Sequence, residues 1–154
     1  MRKKGRMSKK LIVLRGLPGS GKSTYQRAHF PAAVVASADL YFMVGEEYRF
    51  NPALLPEAHG ACCRTVVGAL QAGTSLIIVD NTAISAVEIA PYILLAQAYG
   101  YVAEIKTLRC DPAVAAARNT HGVPVGIILE RMAPAMAAAE ASFPPWWNHQ
   151  SVAV

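Results

Sequence analysis

The run Gly16-Leu17-Pro18-Gly19-Ser20-Gly21-Lys22-Ser23-Thr24 carries the spacing G-x-x-x-x-G-K-[ST]. Residues of these types hold a phosphate chain. The glycines let successive backbone N–H groups turn inward around a β-phosphate, and a helix starting at Lys22 adds its positive dipole end. Lys22 would bridge β- and γ-oxygens, and the Ser23 hydroxyl offers an oxygen ligand to Mg²⁺. The motif therefore implies ATP and Mg²⁺, and leaves open what happens to the γ-phosphate.

Two aspartates stand where strand ends are expected. Asp80 follows Leu76-Ile-Ile-Val79 and has the setting of an acid that supports a metal. Asp39, in Ser37-Ala-Asp39, follows a second short apolar run. Phosphoryl transfer to a hydroxyl needs a carboxylate that orients the acceptor O–H and takes its proton. Asp39 is assigned that task, and Asp80 joins Ser23 in the metal shell. The plain alternative for either aspartate is a helix or turn cap. Transfer also needs positive charge on the γ-oxygens. Arg118 and Arg131, on a helical hairpin that would close over the triphosphate, are assigned to it. Arg15 and Arg109, at strand ends, compete for the same role.

The elements that position these groups follow from periodicity and punctuation. Leu11–Leu14, Ala33–Ala36, Ser75–Val79 and Tyr101–Leu108 read as strands. Helices are expected from Lys22 to His29 and from Ala53 to Ala72, the latter with Leu54, Ala58, Cys62, Thr65, Val66 and Ala69 on one stripe. Ser85-Ala-Val-Glu88 is a capping box for a helix reaching Tyr99, with one hydrogen bond lost at Pro91. Asp111-Pro112 opens a helix to Arg118, and a last helix runs from Val125 to Ala141, interrupted at Pro134. Residues 37–52 form a long connection. Alternating strands and helices predict a parallel sheet covered on both faces. The expected division is a basic flexible tail over 1–10, one domain over 11–141, and an irregular C-terminal tail over 142–154.

With these features in place, the chain resembles the polynucleotide-kinase-like P-loop kinases of the AAA_33 type, including NEDD4-binding-protein-2-like proteins. The resemblance rests on Arg15 to Thr24, Ser37-x-Asp39, Tyr48-x-Phe50-Asn51, Ala58-His59, Asp80-Asn-Thr82, Pro91-Tyr92, Gly100-Tyr101, Arg118-Asn119, His121-Gly-Val-Pro124 and Ile128-x-x-Arg131-Met132. It implies an α/β P-loop NTPase fold with an adenylate-kinase-like sheet of order 2-3-1-4 and a helical lid. It also implies transfer of the ATP γ-phosphate to a nucleic-acid hydroxyl, with Asp39 as general base and Arg118 as a lid arginine.

Two departures matter. No arginine follows the base in Asp39-Leu-Tyr-Phe-Met43, where polynucleotide kinases hold the substrate phosphate. Their second lid arginine is also absent, and His121 lies nearest that place. Phage enzymes of the same class are similar and phosphorylate 5-hydroxymethyluridine in DNA. Tyr41, Phe42, Tyr48 and Phe50 either stack on such a base or simply pack the loop. Asn81, Thr82 and His121 complete the expected substrate side.

Composition bounds the remaining classes. The 154 residues, 53% hydrophobic and 16% charged, suit one folded domain, and no apolar run is long enough to span a membrane. No secretory leader is recognisable in the basic start. Arg2, Lys3, Lys4, Arg6, Lys9 and Lys10 supply six of the fifteen Lys and Arg, leaving nine basic against ten acidic groups in the other 144 residues. The net charge of +5 thus describes a tail, which either holds a polyanion such as DNA or is a solvated end. Cys62, Cys63 and Cys110 form no metal or disulfide pattern, which fits a reducing cytoplasm, that of a host cell if the chain is viral. A kinase for a small metabolite remains the alternative. A non-catalytic ATP-binding module would need no acceptor carboxylate, so Asp39 argues against it. Nothing in the chain indicates its oligomeric state.

Overall fold

The computed structural model describes residues 8–154, so most of the basic start lies outside the described residues. In chain order the elements are β1 (Lys10–Arg15), α1 (Lys22–His29), β2 (Val34–Ala36), the hairpin strands β3 (Met43–Val44) and β4 (Glu47–Tyr48), α2 (Leu55–Gln71), β5 (Leu76–Asp80), α3 (Ala86–Ala98), β6 (Val102–Arg109), α4 (Pro112–Arg118), α5 (Val125–Ile127), α6 (Ala133–Ala139) and β7 (His149–Ala153).

Leu11 to Leu14 are buried because β1 is sandwiched on both faces. Successive side chains on a strand point to opposite faces. Leu11 and Val13 accordingly join the cluster formed with Cys62, Val66 and Leu70 of α2 and Ile89, Ile93 and Ala96 of α3. Ile12 and Leu14 face the other way and pack with Ile78, Leu108, Tyr25 and Phe30. Truncating one such core side chain to Ala costs about 2–5 kcal/mol. The main sheet has the order β2-β5-β1-β6-β7, all parallel. Its first four strands reproduce the expected 2-3-1-4 order, with helices on both faces.

The structure corrects three expectations about the elements. The end of the chain is not irregular, because β7 adds a fifth parallel strand on β6. Its residues, His149-Gln-Ser-Val-Ala153, have no apolar alternation. It is held by backbone pairing and by polar cross-strand bonds, Thr107 Oγ1 to His149 Nε2 at 2.7 Å, Lys106 Nζ to Gln150 Oε1 at 3.1 Å and Arg109 to Ser151 Oγ at 2.8 Å. Lys10, placed in the tail by its charge, opens β1 and pairs with Glu104 at 3.0 Å. The last helix is interrupted before Pro134, by a π turn over Ile128–Met132 that joins α5 to α6. A wider turn there accommodates a residue with no N–H to continue the α-helical ladder.

Candidate active site

The phosphate loop joins β1 to α1 and packs against α4. Gly21 caps α1 with φ 93°, and Gly19 has φ 81°, both in the left-handed region that glycine tolerates. A Cβ on Gly19 would also overlap the Ala115 carbonyl oxygen, so α4 can approach the loop only because this residue is glycine. The Ser20 hydroxyl is buried in the loop and is the one buried side-chain polar atom without a hydrogen-bond partner among the described residues. Lys22 Nζ donates to the Gly16 and Leu17 carbonyls at 2.9 and 3.3 Å, folding back over its own loop.

Beside this loop, Ser23 Oγ donates to Asp80 Oδ2 at 3.3 Å. Burial pushes the Asp80 carboxyl above its ordinary value, against the pull of Lys22 and of the Ser23 bond. Burial likewise lowers the Lys22 ammonium, against the pull of Asp80 and Asp39. Each charge is thus less favourable here than in water and is sustained by the other. Ser23 and Asp80 are hard oxygen donors, and no group of three or more His, Cys, Asp and Glu is placed to hold a metal among the described residues. Two protein oxygens suit Mg²⁺, which keeps several waters and takes phosphate oxygens as further ligands.

Asp39 lies across the same cleft. It sits in a 3₁₀ turn over Ala38–Phe42, where Ser37 Oγ accepts from the Asp39 N–H at 3.2 Å. Asp39 Oδ1 accepts from the Tyr48 hydroxyl at 3.0 Å, and Oδ2 faces His121 Nε2 at 3.9 Å. Tyr48 was expected as a stacking ring, and its hydroxyl bond to Asp39 went unforeseen, since nothing local in the sequence couples residues 39 and 48. Burial, then the Asp39 charge and hydrogen bond, push the Tyr48 phenol well up, so it is a permanent donor. His121 is carried by a turn in which its N–H donates to Asn119 Oδ1 at 3.0 Å and Asn119 Nδ2 donates to the Val123 carbonyl at 2.7 Å.

The four loop aromatics divide. Phe42 is 3% exposed and packs with Ala38, Ala58 and Leu55, and Tyr41 does not line the cleft. Tyr41 is thus not placed to stack on a base, whereas Phe42 borders the cleft as a buried ring that packs the loop. Tyr48 and Phe50 line the cleft with nearly parallel rings, 12° apart in plane, and Phe50 is half exposed. Asn81 and Thr82 line it as well, but both polar ends of Asn81 are engaged within the protein, and the Thr82 carbonyl accepts from the Gly16 N–H at 3.4 Å.

The arginines also divide. Arg118, at the end of α4, lines the cleft. Arg131 is exposed in the π turn and lies outside the cleft lining, which corrects its placement beside the γ-phosphate. Arg15 is wholly buried. Its five N–H groups donate to the Ala83, Ile84 and Met136 carbonyls, Thr107 Oγ1 and Glu140 Oε1 at 2.6–3.3 Å. Arg109 grips Glu140 with two bonds of 2.6 and 2.7 Å. These bonds join the strand ends to α6 and remove Arg15 and Arg109 from competition for a phosphate.

The cleft that unites the loop, Asp80, Asp39, Tyr48, His121 and Arg118 measures about 1730 Å³. A single small ligand fills roughly 300–1,000 Å³, so there is room for a nucleotide and a second substrate. His59, Cys63 and Tyr92 also line it, although the sequence pattern marked His59 and Tyr92 only within the family resemblance.

Comparison with known proteins agrees with this geometry. Residues 11–121 match the AAA_33 family, an AAA domain. Over 120 residues, 73% of this chain, the sequence is 38% identical to human NEDD4-binding protein 2, of which it spans 7%. A chain in the structure of the Pnkp1/Rnl/Hen1 RNA repair complex superposes with a TM-score of 0.74 at 18% identity, covering 94% of this chain and 49% of that one. A gluconokinase from Sinorhizobium meliloti 1021 superposes with a TM-score of 0.53 at 16% identity, covering 97% and 85%. The chain belongs to the AAA_33 family and has the fold of the polynucleotide-kinase-like P-loop kinases.

Proposed function

We propose that the protein is an ATP-dependent kinase that phosphorylates a hydroxyl group of nucleic acid, a polynucleotide 5′-hydroxyl or the hydroxymethyl group of 5-hydroxymethyluridine in DNA. The observation that carries this reading is Asp39 facing the phosphate loop across one cleft, its carboxylate oriented by Tyr48 and flanked by His121. A protein that only binds ATP has no use for that carboxylate.

In this reading the backbone of Gly16–Thr24 and the Lys22 ammonium hold the nucleotide phosphates. Ser23 and Asp80 would hold Mg²⁺, which would supply positive charge to offset that developing on the phosphates. Asp39 accepts the proton of the acceptor hydroxyl as its oxygen bonds to the γ-phosphorus. The bond from that phosphorus to the β–γ bridging oxygen breaks, and ADP leaves. The Tyr48 bond occupies Oδ1 and leaves Oδ2 to receive the proton. Arg118 supplies positive charge to the γ-phosphoryl oxygens.

The likeness to a chain of an RNA repair complex supports a nucleic-acid acceptor. A small polyol is the second reading, favoured by the gluconokinase likeness and by the nearly balanced charge of the folded part. The test is transfer from γ-labelled ATP with Mg²⁺ to DNA and RNA oligonucleotides with free 5′-hydroxyls, to end-blocked DNA containing 5-hydroxymethyluridine, and to gluconate. Label on any nucleic acid supports the proposal and identifies the acceptor. Label on gluconate alone overturns it in favour of the polyol.

A further inference from the structure

The two carboxylates of the cleft come from different places. Asp80 ends β5, and Asp39 sits three residues beyond β2, the edge strand that pairs with β5 through Ala36 opposite Val79. Past Ala36 the backbone ladder stops, so something else must fix the turn that carries Asp39.

Asn81 occupies that junction. Its Oδ1 accepts from the Ala38 N–H at 2.9 Å, and its Nδ2 donates to Cys62 Sγ at 3.6 Å. Ala38 is 7% exposed, packed with Phe42 and Ala58, so its N–H would otherwise be buried without a partner. Cys62 is fixed in α2 and buried, so the amide is anchored at its far end as well. One side chain, adjacent in sequence to Asp80, thereby holds the residue adjacent to Asp39. Both of its polar ends are spent inside the protein, which leaves it poorly suited to the substrate contact expected for it from the sequence.

From this geometry we infer that Asn81 is a positioning residue that fixes the Asp39 turn relative to Asp80, and so sets the distance between acceptor hydroxyl and γ-phosphate. The inference rests on the kinase reading above. Misplacing a reacting group by about 1 Å costs on the order of 10²-fold in rate. A positioning role predicts losses in the transfer step while ATP binding holds.

The experiment compares Asn81→Leu with Asn81→Asp. Leu matches the shape but loses the acceptor for Ala38. Asp keeps that acceptor, loses the donor and adds a negative charge. Three quantities are read: kcat and the ATP KM with whichever oligonucleotide is labelled, hydrogen exchange at the Ala38 amide, and the melting temperature. The expected result is kcat about 100-fold down in Asn81→Leu, with Ala38 exchange at least about tenfold faster and the ATP KM within about twofold of wild type. Asn81→Asp should keep Ala38 protected and lose only about tenfold in kcat. Asn81 acting on the substrate predicts the reverse ranking, because Asp loses the donor and repels a polyanion. Asn81→Asp equal to or worse than Asn81→Leu overturns the inference, as does a matching rise in ATP KM in both variants. If the wild type labels no nucleic acid, the nucleic-acid reading itself fails. Exchange at Ala38 still reports whether the Asn81 bond exists.

Discussion

The Tyr48 hydroxyl donates to Asp39 Oδ1 at 3.0 Å, across a hairpin turn that separates them by nine residues. The hairpin brings the ring back over the 3₁₀ turn, with Met43 opposite Tyr48 in the β3–β4 pair. A carboxylate held this way presents its second oxygen in one direction.

Tyr48→Phe should keep the ring in place and lose only this bond. Hydrogen bonds to charged groups are worth about 1.5–3 kcal/mol, so transfer is expected to fall about tenfold or more, with the ATP KM unchanged. Because the phenol is pushed well above its ordinary value, the factor should be the same from about pH 7 to about pH 9. A pH–rate profile of both proteins checks this.

The Lys22–Asp80 pair should cost the protein stability. The folded-state value of Asp80 is raised, so the native state binds this proton more tightly than the unfolded chain. The associated stability is full below the ordinary value of 3.8 and is lost as pH rises through the raised folded value. The lowered Lys22 value acts from the basic side, with stability gained as pH rises towards 10.5. Replacing both, as Lys22→Met with Asp80→Asn, is expected to raise stability by about 1–4 kcal/mol, or about 2–4 °C in Tm per kcal/mol, while abolishing nucleotide binding. Thermal melts and ADP titration at neutral pH read the two effects separately.

Arg15 and Arg109 share Glu140 but should differ in weight. Arg15 is wholly buried and Arg109 is 41% exposed at its side chain. Arg15→Met takes their donor from the Ala83, Ile84 and Met136 carbonyls and leaves Glu140 with Arg109 alone, and is expected to cost about 3–5 kcal/mol. Arg109→Met should cost only about 1 kcal/mol, since Glu140 keeps Arg15 as its partner and the lost bonds are near solvent. Urea denaturation of both variants tests the ranking.

Much of this was legible in the residues. The phosphate loop, Asp39 and Asp80 announce themselves because each motif is local, and a strand–loop–helix unit places it. Arg15 was misjudged because its partners lie 68 to 125 positions away, and an arginine closing an apolar strand gives no local sign of burial. Tyr41 and Phe42 were read together, yet a 3₁₀ turn sends adjacent side chains to different sides. β7 escaped because an edge strand held by polar pairs carries no hydrophobic period. Asn81 was read as a substrate contact from its place in the Asp80-Asn-Thr82 motif. Its two ends are engaged by Ala38 and Cys62, partners 43 and 19 positions away that no local pattern links to it.

Arg118→Ala should lower kcat far more than Arg131→Ala. Arg118 lines the cleft, and losing one donor to the developing charge costs about 10²–10³-fold. Arg131 lies outside it in the π turn, and its loss is expected to stay under about tenfold. Steady-state rates at saturating ATP and acceptor distinguish the two.

The most direct test of the account is single-turnover phosphoryl transfer by Asp39→Asn, measured beside ATP binding by the same protein. The account predicts ATP affinity within about twofold of wild type and transfer reduced by about 10²–10⁴-fold, the range lost with a general base. Transfer by Asp39→Asn at the wild-type rate would contradict it, because the acceptor hydroxyl would then need no carboxylate at this position.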